Sequence, residues 1–231
     1  MSTSASPSNS STSGEKPAQR ALSLAWLKAE QNAAEAPSYT SMLLHEAGAI
    51  LEHRGEDGEA SRSYRAALSF EPEYRESLER LIALAERYRR FDELEPLYQQ
   101  LAANADSADE RARALLERAF FLMAHQDEPR TALDLLDEIL ADFPQNGPAW
   151  LLYDLIADRL GDNDAKEKAL GARLETLLHP HYRGLLLLEW SQLREQAGDI
   201  DRAFLLLDQA ISEASSATYS ALLRKERLAL S

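Results

Sequence analysis

The sequence predicts an all-α chain built from antiparallel helical hairpins. Three observations predict it: a helix-forming composition, apolar residues recurring at helical spacing, and a block that returns along the chain. Nine Gly and nine Pro are few for 231 residues, 45% of which are hydrophobic. Ala, Leu, Glu and Arg dominate, as they do in long helices rather than sheets. A chain of this length and hydrophobic content can bury a substantial core.

Charge and residue usage narrow the function classes. A formal charge of -14 and a pI near 4.8 produce a field that repels phosphate backbones and anionic headgroups, so neither nucleic acid nor a membrane is an expected partner. The absence of cysteine rules out disulfides, thiolate nucleophiles and cysteine-ligated zinc, and the expected compartment is the cytoplasm. No apolar run approaches the roughly 20 residues of a membrane span. The Ser/Thr tract from Met1 to Gly14 has neither the basic start nor the apolar stretch of a secretory signal.

Taken in order, residues 1–16 read as a disordered Ser/Thr-rich tail, too poor in apolar side chains to offset the entropy of ordering. Residues 17–40 read as a first helix and connector, with Leu22, Ala25, Trp26, Ala29 and Ala33 forming its apolar stripe. The negative excess lies beyond residue 40, because Glu15, Glu30 and Glu35 are balanced by Lys16, Arg20 and Lys28.

A repeat follows. One block carries Leu44, Ala47, Gly48 and Leu51, a Gly55-Glu56-Asp57 turn, then Ala60, Tyr64, Ala67 and Pro72. The frame returns as Leu116, Ala119 and Met123 with Ala132, Leu136, Ile139 and Pro144, 72 residues downstream. Between them run Leu78, Leu81 and Ala85, a turn near Arg89-Arg90, and Leu94, Tyr98 and Leu101, with Leu94 lying 34 residues after Ala60. A fourth copy has Trp150, Tyr153 and Ala157, the Gly161-Asp162 turn and Leu170. A fifth has Leu187, Trp190, the Gly198-Asp199 turn, Ala203, Leu207 and Ala210. The predicted repeats are 41–74, 75–108, 113–146, 147–180 and 184–217, and residues 218–231 are a capping helix. Each hairpin leaves an apolar face that only a neighbouring hairpin can cover, so the hairpins must stack.

These spacings resemble the tetratricopeptide repeat (TPR) family. The resemblance implies a right-handed superhelical solenoid of about five hairpins with a concave groove lined by the first helices. The chain departs from the family where Ile82, Phe120, Asp154 and Ser191 replace the small residue that is Gly48 in the first repeat, and where Leu94 and Lys166 replace the second-helix Ala. Carried onto this sequence, the groove line includes His45, Ala49, Glu52 and His53, then Glu79, Ala83, Glu86 and Arg87, then Glu117, Phe121 and His125. It continues through Leu151, Leu155, Asp158 and Arg159 to Leu188, Gln192 and Glu195.

Phe121, Leu151, Leu155 and Leu188 are the expected apolar binding patch, edged by Arg87, His125 and Arg159. The competing expectation is that a shift of one residue makes these leucines core. The Lys and Asn pair with which some family members clamp a C-terminal carboxylate is not matched.

No chemistry is expected. His179 and His181 flank Pro180 with no third metal ligand nearby, and Asp162-Asn163-Asp164 lacks the Gly of a calcium loop. No phosphate-binding loop, HExxH or nucleophile elbow is present. The expected function is a protein-interaction adaptor that binds a peptide or helix in the groove, with no catalytic residues, cofactor, metal or small-molecule substrate. The alternatives are a structural assembly subunit and a regulatory lobe of a larger complex or enzyme.

Overall fold

The structure, a computed structural model, describes residues 24–32, 36–213 and 216–230. The predicted tail at 1–16 lies outside them, as do Leu22 and Ala33. Among the described residues the regular structure is entirely helical. Residues 24–32 form α1, followed by α2 (Pro37–His53), α3 (Asp57–Phe70), α4 (Arg75–Arg87) and α5 (Phe91–Ala103). Then come α6 (Ala108–Phe121), α7 (Pro129–Asp142), α8 (Gly147–Leu160) and α9 (Asn163–Thr176). The chain closes with α10 (Pro180–Gln196), α11 (Ile200–Ser212) and α12 (Thr218–Ala229). It divides into two units at Asp106 and Ser107, the first holding α1 to α5 and the second α6 to α12.

In the first unit the buried sides of α2 and α3 supply Leu51, Ala60 and Tyr64, which pack with Leu81 and Leu84 of α4 in one cluster. Gly48 is required here, since a Cβ on it would lie 2.6 Å from the Tyr64 ring. The expected stripe of α1 is corrected by the structure. Ala25, Trp26 and Ala29 are exposed, while Leu24 and Leu27, three residues apart, pack on Leu43 and Ala47 of α2.

Four turns share one mechanism. The amide of Glu56 donates to the carbonyl of Leu51, and Arg90 to Ala85, Asp162 to Ala157 and Asp199 to Arg194 repeat that bond. This closure needs a left-handed residue, supplied by Gly55, Gly161 and Gly198 and, unusually, by Arg89 at φ 53°. Asp162 and Asp199 then cap α9 and α11, their carboxylates accepting from the amides of Ala165 and Arg202. The Asp162-Asn163-Asp164 segment is thus a helix cap.

The third hairpin differs. Its first helix widens into a π turn at Leu122–Gln126 and closes with Asp127 in the left-handed region. Buried positions of α6 are Ala112, Ala114, Leu115, Ala119, Phe121 and, just beyond it, Leu122, whereas Leu116 and Met123 are only partly buried. The core frame therefore lies one residue earlier than the sequence frame through Leu116 and Met123. Adjacent residues point about 100° apart on a helix, so this shift turns Phe121 inward and Phe120 outward.

In the second unit α8 buries Trp150, Tyr153, Ile156 and Ala157, and α10 and α11 bury Leu187, Ala203, Leu206, Leu207 and Ala210. On that last cluster α12 lays Ala221 and Leu228. Arg224 and Arg227 of α12 pair with Glu195 of α10.

Candidate functional site

Two of the expected patch residues share the exposed face of α8. Leu151 and Leu155, one turn apart, are 47% and 56% accessible. The opposite face holds Leu152, Tyr153, Ile156 and Ala157 in the core, so the helix is anchored and its two leucines are left outward. Arg159, one turn further, donates to the Met123 carbonyl at 2.7 Å and to the Asp127 carboxylate at 2.7 Å. It ties the end of α8 to the π turn that precedes α7. Asp158 accepts from Lys166 at 2.5 Å, and the same ammonium lies 2.9 Å from Glu189 of α10. Burial opposes the charge on Lys166, yet hydrogen bonds to Asp158 and Glu189 raise its pKa overall. Lys166 thus replaces the small residue of the second helix as an ionic joint between neighbouring hairpins.

The remaining patch residues are placed differently. Phe121 is 3% accessible and belongs to the core, a correction to its expected place in the groove, while Phe120 is 54% accessible. His125 is exposed in the π turn, its ring 5.6 Å from that of Phe121. Leu188 is half-buried because it packs against the cluster of α10, α11 and α12. The leucine exposed on α10 is Leu185, three residues before the expected Leu188. Nothing in the sequence distinguished Phe120 from Phe121, because both frames of α6 are apolar.

Arg87 belongs to the first unit and acts there as a joint. Glu52 of α2 is nearly buried and accepts from Tyr64 Oη at 3.0 Å, Arg80 Nη2 at 2.7 Å and Arg87 Nη2 at 3.2 Å. Arg87 also reaches Asp57 at 3.2 Å. Burial pushes the Tyr64 hydroxyl up to about 12, and hydrogen bonding to Glu52 raises the pKa of Arg80. His45, another expected groove residue, is half-buried between Tyr64 and Tyr74, with Nδ1 3.0 Å from Ser77 Oγ. Burial lowers its pKa.

Asp154 occupies the small-residue position of α8 and pairs with Arg173 of α9, with its pKa raised by burial and by Glu189. His179 caps α10, accepting from the amide of His181 at 3.3 Å. Among the described residues no three His, Asp or Glu side chains are grouped to hold a metal ion, and no helix is long and apolar enough to cross a membrane.

Solved structures share this architecture. The structure of YrrB, described as a TPR protein with an unusual peptide-binding site, is 14% identical and aligns over 81% of this chain and 92% of that one with a TM-score of 0.52. MamA is 17% identical over 75% of this chain and 91% of its own, with a TM-score of 0.54. A tetratricopeptide repeat protein from Parabacteroides merdae ATCC 43184 is 17% identical over 94% of each chain, with a TM-score of 0.51. No protein-family model matches the chain, and no curated protein matches it in sequence. The all-α helical hairpins of this chain have the fold of a divergent tetratricopeptide-repeat protein.

Proposed function

We propose that the chain is a protein-interaction adaptor, acting by binding rather than by chemistry, and that the outward face of α8 takes an apolar side chain from a peptide or helix of a partner protein. The observation that carries this reading is the pair Leu151 and Leu155, exposed one turn apart on a helix whose other face is fixed in the core. Arg159 stands beside them with its guanidinium clamped to Met123 and Asp127, so the rim of the face is rigid. Peptide binding by YrrB supports the reading, since its fold is similar. A cytoplasmic location belongs to the same proposal, and cell fractionation tests it.

Leu155→Glu is the direct test. A charge placed where a partner's apolar side chain is buried is strongly unfavourable. Captured partners, compared by quantitative mass spectrometry with those of the wild type, are expected to be lost while the far-UV circular dichroism and melting temperature hold. A folded variant that keeps its partners refutes the assignment.

A second reading, an assembly subunit, is favoured by α12. Its inner face covers the last core cluster, but Tyr219, Leu222, Leu223 and Leu230 are exposed on the outer side. Under this reading Leu222→Glu with Leu223→Glu removes partners that Leu155→Glu leaves in place.

A further inference from the structure

The outward stripe of α8 does not end at its leucines. Leu151, Leu155 and Asp158 follow one another at spacings of four and three residues, so they lie on one side of the helix, and all three are exposed while Leu152, Tyr153, Ile156 and Ala157 are buried. Asp158 therefore belongs to the same surface as the two leucines.

The charge at that end of the surface is not balanced. Asp158 and Glu189 of α10 share a single ammonium, that of Lys166, at 2.5 Å and 2.9 Å. Two carboxylates on one ammonium leave one negative charge over. The other ion pairs made from this helix cancel, Arg159 with Asp127 and Asp154 with Arg173. The surplus is also within reach of a partner, because the side chains of Asp158 and Glu189 are 67% and 42% accessible and that of Lys166 only 15%. The buried carboxyl of Asp154 responds to the same field, its pKa being raised by burial and then by Glu189.

A partner that fits this surface repeats its order with the opposite charge. A helix laid along α8 has the same rise of about 1.5 Å per residue, so two of its residues four apart meet Leu151 and Leu155 and a residue one turn further meets Asp158. A base at that place supplies the missing counterion, and an acid there is repelled. We propose that the α8 face takes an amphipathic helix carrying two apolar residues four apart with a Lys or Arg three residues beyond them, the base docking on Asp158 and Glu189. This rests on the role proposed above for Leu151 and Leu155 and adds the class of partner that they take.

The test uses fluorescein-labelled, end-blocked peptides of about 15 residues on an Ala and Gln background, a length at which a helix can form. Each carries two leucines four apart and, three residues outside each leucine, Lys, Gln or Glu, so that either helix direction can pair. The full chain is titrated into each peptide and followed by anisotropy at about 0.15 M salt, where screening over about 8 Å removes most of the attraction of distant charges. The Lys peptide is expected to bind about threefold more tightly than the Gln peptide and about tenfold more tightly than the Glu peptide, the scale of one exposed ion pair and of its reversal. Asp158→Asn leaves Lys166 and Glu189 as a balanced pair and is expected to bring the Lys and Gln peptides to one affinity. Asp201→Asn removes an exposed carboxylate of α11, with the same change in net charge, and is expected to keep the difference. An unchanged preference in folded Asp158→Asn overturns the proposal, and Glu189→Gln, which leaves Lys166 with Asp158, reads the same result if Asp158→Asn does not fold. Leu155→Gln removes the apolar contact without adding charge and is expected to weaken all three peptides. If it does so while the wild type binds the three equally, the α8 face stands and the basic partner is overturned. Peptides that ignore Leu155→Gln, or that do not bind at all, overturn both.

Discussion

Three residues decide how tightly the first helices approach their neighbours. Gly48 leaves room for the Tyr64 ring, which would otherwise meet a Cβ at 2.6 Å. Gly48→Ala is expected to cost about 1–3 kcal/mol through overpacking, read by urea unfolding, despite the better helix propensity of Ala. Glu52 gathers Tyr64, Arg80 and Arg87, so it joins three helices through one carboxylate. Glu52→Ala takes their shared acceptor from Tyr64 and Arg80 while Arg87 keeps Asp57, with an expected loss on the order of 1–3 kcal/mol. Asp154 shows the opposite balance, a buried carboxylate whose pKa is raised from 3.8 by burial and by Glu189 although Arg173 pairs with it. The folded chain holds that proton more tightly than the unfolded one, so the stability linked to it is present at acid pH and is lost as pH rises through the raised value. Urea midpoints measured from about pH 4 to 7 are expected to show this decline in the wild type and not in Asp154→Asn.

At the scale of the element, the turns and the terminal helix set the limits of what can change. Arg89 takes a left-handed conformation that Gly55, Gly161 and Gly198 adopt without cost in the equivalent turns. Arg89→Gly is therefore expected to stabilise the chain by about 0.5–1 kcal/mol, a rise in melting temperature that calorimetry can read. Leu228 of α12 fills the last core cluster, and Leu228→Ala is expected to cost about 2–4 kcal/mol. The third hairpin is where element-level reading of the sequence failed by one residue. Leu115-Leu116 and Phe120-Phe121-Leu122-Met123 are apolar in both frames, so periodicity alone does not choose between them. Packing of Leu115, Ala119 and Leu122 makes the choice, and the π turn after α6 resets the spacing before α7.

For the whole molecule, charge governs what can approach. With a net charge of -14, the chain is expected to show no binding to duplex DNA or to anionic vesicles at about 0.15 M salt, checked by fluorescence anisotropy and by co-sedimentation. Every joint described within the two units pairs an acid with a base, Lys166 with Asp158 and Glu189 in one unit and Glu52 with Arg80 and Arg87 in the other. These pairs hold neighbouring hairpins together, and Leu151 and Leu155 add an exposed apolar surface beside them.

Helical hairpins, their Gly turns and the small residues at their contacts were written into the sequence by itself, because these are local or periodic properties. Gly55, Gly161 and Gly198 mark turns whatever surrounds them, and Ala60 with Ala67, like Ala203 with Ala210, lie seven residues apart, two turns of a helix. The outward placing of Leu151 and Leu155 followed from the repeat frame alone, since α8 is apolar on nearly every side and a shift of one residue would have made them core. The structure decided the rest. Leu188 is half-buried because α11 and α12 close over it, and Phe121 turns inward because α6 settles one residue earlier. Arg87 and Arg159 are joints rather than free charges because their acceptors lie 30 or more residues away in sequence. Such pairings depend on which helices become neighbours in space, and a single sequence holds no local signal for them.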